Sequence, residues 1–403
     1  MKPRTFNSCN IYLFIILLTS LKGTLYTPSG FISVGLQYVL ILVSLYYVVY
    51  ANLNYKLPEY FRALNVLLVL FTIYGLWFLL SGERVVLMTT YAATSSTQYL
   101  KSIYLSLLPI YPFYVFAKQG LLKESTIKIW FFVFLILAIR RYYRNEDRNL
   151  EEAIARGSSR EEFTNNAGYA FVALMPAVVL FYKKPIIQYL LLVVCIGFIV
   201  MAVKRGAILI GVICFVWFVV VNAKKASKKN KWIIAILGVT VLFAVFYLFK
   251  YMMETSDLFR FRYEITLAGE SSGRDEIARV LMSHFLNEHN PIRLVFGNGA
   301  NATVNIVGNY AHNDWLEILI NQGILGLIIY LVYWYSFFVS WQRLKKHPMS
   351  FMAVGMILVA FFLSSLFSMS YNAVSRCSAM LLGYFLATSY NVGNAQQDQQ
   401  TIG

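Results

Sequence analysis

Residues 311–331, AHNDWLEILINQGILGLIIYL, bring a histidine, an asparagine and two acids to the start of a long apolar run. Histidine gains and loses a proton near neutral pH, so His312 is a candidate general base for a hydroxyl nucleophile. Asn313 or Asp314 can accept hydrogen bonds from the free N–H groups of a first helical turn. Asp314 and Glu317 put negative charge near the positive end of that helix's dipole. Leu316, Ile320, Gly323 and Leu327 share one helical face. Gly323 and Gly326 would let a neighbouring helix come close to that face, as small residues do in membranes. The pattern puts His312 at the mouth of a transmembrane helix, where water meets lipid. The plainer alternative is a histidine that only shapes the start of the helix.

The second group with chemistry is arginine. Its planar fork matches phosphate oxygens bidentately, whereas lysine is a point charge. Arg205 stands in the turn Val203-Lys204-Arg205-Gly206 between two apolar runs. An ionised group there is costly unless it is paired or functional, and snorkelling to the interface is the alternative. A base beside guanidinium groups suits glycosyl transfer from a polyprenyl diphosphate sugar. The diphosphate is already an activated leaving group, and cations can neutralise it as it departs.

The elements that must position these residues are membrane helices. Of 403 residues, 59% are hydrophobic, above the roughly half usual in soluble domains. Many segments run about 18–20 residues with little charge, enough to cross a ~30 Å hydrocarbon core. The expected fold is an all-α polytopic membrane protein with about twelve transmembrane helices. They fall at 9–26, 31–51, 62–81, 99–117, 125–141, 167–182, 186–203, 206–222, 232–250, 315–340, 350–369 and 374–391. Lys2 and Arg4 before the first run resemble a signal peptide, but another span follows at once, so an uncleaved first helix is expected. Pro109 and Pro112 should kink the fourth span and Pro176 the sixth.

With the N-terminus inside, every inner connection carries basic residues, including the cluster Lys224, Lys225, Lys228, Lys229 and Lys231. Two connections are long, and both then land outside. In the first, 142–166, a short surface helix is expected at 151–156. In the second, 251–314, Ser272 and Asp275 read as a capping box. Ile277, Val280, Leu281 and Phe285 line one side of an amphipathic helix there. The expected organisation is spans one to nine over 1–250, with the smaller outer loop at 142–166. A large outer (periplasmic) loop follows over 251–314, between spans nine and ten. Spans ten to twelve fill 315–391, and a polar cytoplasmic tail fills 392–403.

The formal net charge is +16. The positive-inside bias accounts for it, so no nucleic-acid partner is expected. By this topology the inner side holds fourteen Lys and three Arg, and the outer side four Lys and fourteen Arg. Some outer arginines should be salt-bridged; the rest point to an anionic substrate reached from the outer face. Cys9, Cys195, Cys214 and Cys377 form no CxxC pair and read as packing residues. No HExxH, His/Cys cluster, Gly-rich phosphate loop or GxSxG occurs, so no metal and no cofactor are expected. A twelve-span carrier such as a polysaccharide flippase is the competing reading. Carriers usually show repeated halves and binding groups near the midplane, whereas these charges cluster at the outer end.

AHNDWLEILINQGILGL resembles the signature of the O-antigen ligase and O-antigen polymerase superfamily, in which a long outer loop ends in His-Asn before a Leu-rich helix with Gly-x-x-Gly. Lys204-Arg205-Gly206 resembles that family's arginine-glycine outer turn, and Ser272-Gly273-Arg274 its second arginine. The resemblance covers about 200–331. It implies a metal-independent inverting glycosyltransferase at the outer face of a bacterial inner (cytoplasmic) membrane, with both termini cytoplasmic. The donor it implies is an undecaprenyl-diphosphate-linked glycan, and the acceptor a glycan or lipid A-core. By the family pattern Arg205 and Arg274 hold the diphosphate, with Asn313 in the same substrate-binding set, and His312 activates the acceptor. Ligases, polymerases and oligosaccharyltransferases acting on protein share the motif.

Overall fold

The computed structural model describes residues 7–21, 30–82, 85–87, 92–94, 96–156, 165–225, 228–267, 273–368, 370–371 and 374–400. Helices dominate them. A helix satisfies its backbone N–H and C=O groups within its own segment, which is the condition a bilayer imposes. The exception is a small hairpin, Val85–Leu87 paired antiparallel with Ala92–Thr94.

Among the described residues, seven helices are long and apolar enough to cross a membrane. They are Phe31–Asn54, Glu59–Ser81, Thr97–Lys118, Arg205–Lys224, Lys231–Thr255, Asp314–Lys346 and Pro348–Phe367. Ser8–Ser20, Gly168–Phe181 and Pro185–Met201 are apolar but shorter. Seven of the twelve expected spans coincide with these long helices; three others fall on the shorter ones, and two fall in helices with long polar portions. The fifth expected span lies in the helix Glu124–Arg156. No separate surface helix forms at 151–156. The stretch from 142 has neither Gly nor Pro and is rich in Arg, Glu and Ala, so nothing stops the helix. The last expected span lies in Arg376–Gln400, which runs into the polar tail.

Breaks form at Pro109 and Pro176, whereas Pro112 sits in the first turn of the helix Ile110–Lys118, where its missing N–H costs little and no break follows. The helix Ser96–Leu107 stops before Pro109, and Ile110–Lys118 restarts after it. At Pro176 the α-helix Gly168–Leu174 tightens into the 3₁₀ helix Met175–Phe181.

The chain divides into two compact units. One comprises residues 1–123, 273–347 and 365–403; the other comprises 124–272 and 348–364. In the first, Glu59–Ser81 packs on Asp314–Gln342. The Tyr60 and Phe337 rings lie 4.6 Å apart, and the Tyr60 N–H donates to Ser340 Oγ at 3.0 Å. In the second, Phe171 stacks on Phe198 at 4.6 Å. Asn165 ties that unit's polar end together. Its Nδ2 donates to the Tyr142 carbonyl at 2.9 Å and to Glu146 Oε1 at 2.6 Å, and its N–H donates to the Ala202 carbonyl at 3.2 Å. All four cysteines are buried, unbridged thiols.

Candidate functional site

The polar helices between the ninth and tenth expected spans lie over the start of the Asp314 helix. They are Arg274–Leu286, Pro291–Phe296 and Ala302–Val307; the helix Asp257–Leu267 before them belongs to the other unit and packs on Lys228–Thr255. Leu281 is fully buried with Ala302, Ala311 and Ile320, and Ile277, Phe285 and Leu316 pack around them. Val280, expected on the same face, is exposed instead. Ser272 lies outside the described residues, so the expected capping box has no structural counterpart to report. The helix begins at Arg274, after Gly273 in a left-handed conformation with φ 77°.

The Asp314–Gln342 helix is not continuous. Gly323 has φ 67° and ψ −164°, a backbone region that only glycine enters easily. In an unbroken helix the carbonyls of Ile320 and Asn321 would face N–H groups one turn further on. Here the N–H groups of Asn298 and Gly299 donate to them, each at 3.0 Å. Gly297 makes this possible. A Cβ on Gly297 would strike the Asn321 carbonyl and Gly323 N, and one on Gly323 would strike Gly297 N and the Val295 carbonyl. The expectation that Gly323 and Gly326 open a face to a neighbouring helix holds at Gly323 alone, where the neighbour is the end of the short helix Pro291–Phe296 and not a spanning helix. Gly323 meets the backbone of Val295 and Gly297, and a Cβ on Gly326 would run into Gln322 and Ile318 of its own helix. The shared face of Leu316, Ile320, Gly323 and Leu327 ends at this break.

His312 sits two residues before the helix with φ 52°, an uncommon conformation for a residue bearing a Cβ. It is held on both sides. The Ala311 N–H before it donates to Glu317 Oε2 at 2.7 Å. Asn313 after it is the helix cap: its Oδ1 accepts from the Leu316 N–H at 3.1 Å. The Asn313 Nδ2 donates to the Leu366 carbonyl at 2.9 Å, and Arg274 Nη1 donates to the Phe367 carbonyl at 2.6 Å. Those carbonyls end the helix Pro348–Phe367, where a cation is favoured by the dipole. The structure thus brings Arg274 and Asn313 to one helix end, with His312 next to Asn313 in the chain.

Arg205 belongs to the other unit. It opens the helix Arg205–Lys225 after a turn in which Val203 has φ 52°. An apolar cavity of about 360 Å³ lies along that helix and its neighbours, lined by residues including Ile199, Ile208, Val212, Leu242 and Phe246. Its walls suit a hydrocarbon chain.

Neither acid after His312 faces solvent. Asp314 is fully buried and accepts from the Ser370 N–H at 3.0 Å, from the Ser370 hydroxyl, and from Tyr330 OH at 2.9 Å. Glu317 is also buried and accepts from Thr303 Oγ1 at 2.5 Å and from Asn321 Nδ2 at 3.0 Å, besides Ala311. Burial, and next the Glu317 carboxylate, raise the Tyr310 phenol above its ordinary pKa, so Tyr310 offers this loop a hydroxyl and not an anion.

Several of the other arginines expected outside are salt-bridged. Arg260 pairs with Asp257 at 2.5 Å, Arg279 with Glu276, and Arg293 with Glu288 at 3.7 Å. The Asn290 backbone N–H, and after it Arg293, hold Glu288 below the ordinary carboxylate range. Arg376 donates to the Leu105 carbonyl. Of the three expected inner arginines, Arg62 and Arg343 both pair with Glu59, at 3.4 and 2.6 Å. Among the described residues, no group of three or more His, Cys, Asp or Glu gathers to hold a metal.

Sequence reasoning missed Asp314 and Glu317 as buried acceptors, and it missed Thr303 and Ser370 altogether. The available signal was Asn321-Gln322 inside an apolar run, since buried amides need partners.

Apolar helices of spanning length define the class as a multi-pass membrane protein. Residues 190–331 match the family model described as O-antigen ligase, and the match supports a place in the O-antigen ligase and polymerase superfamily. A search of curated proteins found no match to the chain. The matched stretch contains Arg205, Arg274, His312 and Asn313. The match over residues 190–331 and the apolar helices together suggest a bacterial membrane protein, with a glycosyltransferase-like ligase or polymerase activity as the matched family's.

Proposed function

We propose that this protein transfers or polymerises undecaprenyl-diphosphate-linked surface polysaccharide at the outer face of the inner membrane, with both termini cytoplasmic. His312 takes the proton from an acceptor hydroxyl. The hydroxyl oxygen attacks the anomeric carbon, the bond from that carbon to the diphosphate oxygen breaks, and the undecaprenyl diphosphate departs. Attack opposite the leaving group inverts the anomeric configuration. Arg205 and Arg274 neutralise the leaving diphosphate, a task that guanidinium forks perform without a metal. Asn313 holds its loop through one N–H and one lone pair, and its second N–H serves the substrate.

The observation that carries this reading is that Arg274 and Asn313, the residue after His312, bind neighbouring carbonyls at the end of the Pro348–Phe367 helix, within the matched family stretch. A deletion strain examined for its surface glycan tests it. Loss of long chains with single repeats still attached points to a polymerase acting on a glycan acceptor. Loss of all attached glycan while lipid-linked polymer accumulates points to a ligase acting on lipid A-core. An unchanged surface glycan contradicts both.

A further inference from the structure

Glu317 is a fully buried carboxylate whose hydrogen bonds come from the chain's own neutral groups. Its donors come from three places. Thr303 Oγ1 belongs to the helix Ala302–Val307, Asn321 Nδ2 lies one turn on in Glu317's own helix, and Ala311 N–H lies next to His312. Asn321 continues the connection, because its Oδ1 accepts from the Thr303 N–H at 3.2 Å and its carbonyl accepts from Gly299 N–H at 3.0 Å. The network therefore runs from the Gly323 break through the loop at 297–303 to the residue before His312. Leaving a carboxylate unpaired in an interior is costly, so each donor is held in place. His312 itself has an unfavourable φ of 52°, which persists only where the surroundings over-determine it.

We infer that Glu317 is a positioning residue for the proposed transfer. Its Oε2 fixes the Ala311 N–H, and so fixes the backbone that aims the His312 ring. The inference rests on His312 being the general base. Glu317 touches neither substrate nor leaving group in this account, so its loss acts on the chemical step and not on donor binding.

Glu317→Gln is the direct test. The amide keeps the size, but if its oxygen stays with Thr303 and Asn321 its N–H₂ faces the Ala311 N–H, donor against donor. The rate of glycan transfer by purified protein in liposomes should fall on the order of 10²-fold, the scale of a misplaced catalytic group, with KM for the lipid-linked donor unchanged. In a His312→Ala background the same substitution should cost nothing further, because there is no ring left to aim. A wild-type kcat for Glu317→Gln overturns the inference. So does a loss that multiplies the His312→Ala loss, which would mark Glu317 as a support of the fold alone. If Glu317→Gln does not accumulate, Thr303→Val removes one donor from the same carboxylate. It should lower kcat at constant KM, and an unchanged kcat counts against the inference equally. An unimpaired His312→Ala protein contradicts the general-base reading. An impaired His312→Ala with an unimpaired Glu317→Gln contradicts only the role of Glu317.

Discussion

Arg274 shows at the scale of one residue why residue type matters at this site. Its guanidinium donates to the Phe367 carbonyl at 2.6 Å, and the fork has further N–H groups to give. Lysine can donate to a carbonyl or a phosphate oxygen but has no planar fork to meet two of them in parallel. Arg274→Lys and Arg205→Lys are expected to lower glycan transfer at least tenfold while membrane expression stays normal, since losing a charge-assisted bond costs about 1.5–3 kcal/mol. Wild-type transfer by both variants would show that charge alone suffices there. Arg279, which pairs with exposed Glu276, is the contrast. Exposed pairs contribute about 0–1 kcal/mol, so Arg279→Lys should leave transfer and thermal stability unchanged.

The decisive element is the broken helix Asp314–Gln342. Gly323→Ala puts a Cβ where φ is 67° and where the Val295 carbonyl and Gly297 N already lie. Strain of that kind costs on the order of 1–3 kcal/mol before the clash is counted, so the melting temperature should drop measurably. A melting temperature equal to wild type would mean that the helix runs straight in the protein. Parts of this element were legible from residue types. The polar start, a cap at Asn313 or Asp314 and the position of His312 just before the helix follow from local capping chemistry, which is written in neighbouring residues; the structure decides for Asn313. The break at Gly323 was not legible, because a glycine in an apolar run suits either a close helix crossing or a bend. Gly297, 26 positions earlier, decides between them by backbone contact. Thr303 and Ser370 were invisible for the same reason, since their partners Glu317 and Asp314 are neighbours only in space.

At the scale of the whole molecule, hydropathy made the helical membrane class plain, whereas span number depended on tertiary detail. Pro176 shortens one α-helix, and an uninterrupted run of helix formers lengthens Glu124–Arg156. The sidedness proposed from lysine placement has its own test. In a cysteine-free background, His289→Cys and Lys345→Cys each put a thiol at an exposed position. An impermeant thiol reagent should label position 289 in cells with a permeabilised outer envelope, and should not label 345. Labelling of 345 alone would reverse the orientation and move the proposed chemistry to the cytoplasmic side.

The central claim is that His312 is the base of a membrane glycosyl transfer, and one assay meets it most directly. Purified protein in liposomes is given undecaprenyl-diphosphate-linked glycan and an acceptor, with a chelator present, and product is followed over time for wild type, His312→Ala and His312→Gln. A general base contributes about 10²–10⁴-fold to rate, so both variants should lose at least 10²-fold while still binding the donor, and the wild type should be indifferent to chelator. Transfer by His312→Gln within about threefold of wild type would contradict proton abstraction by this residue, because that contribution is far below the range for a general base.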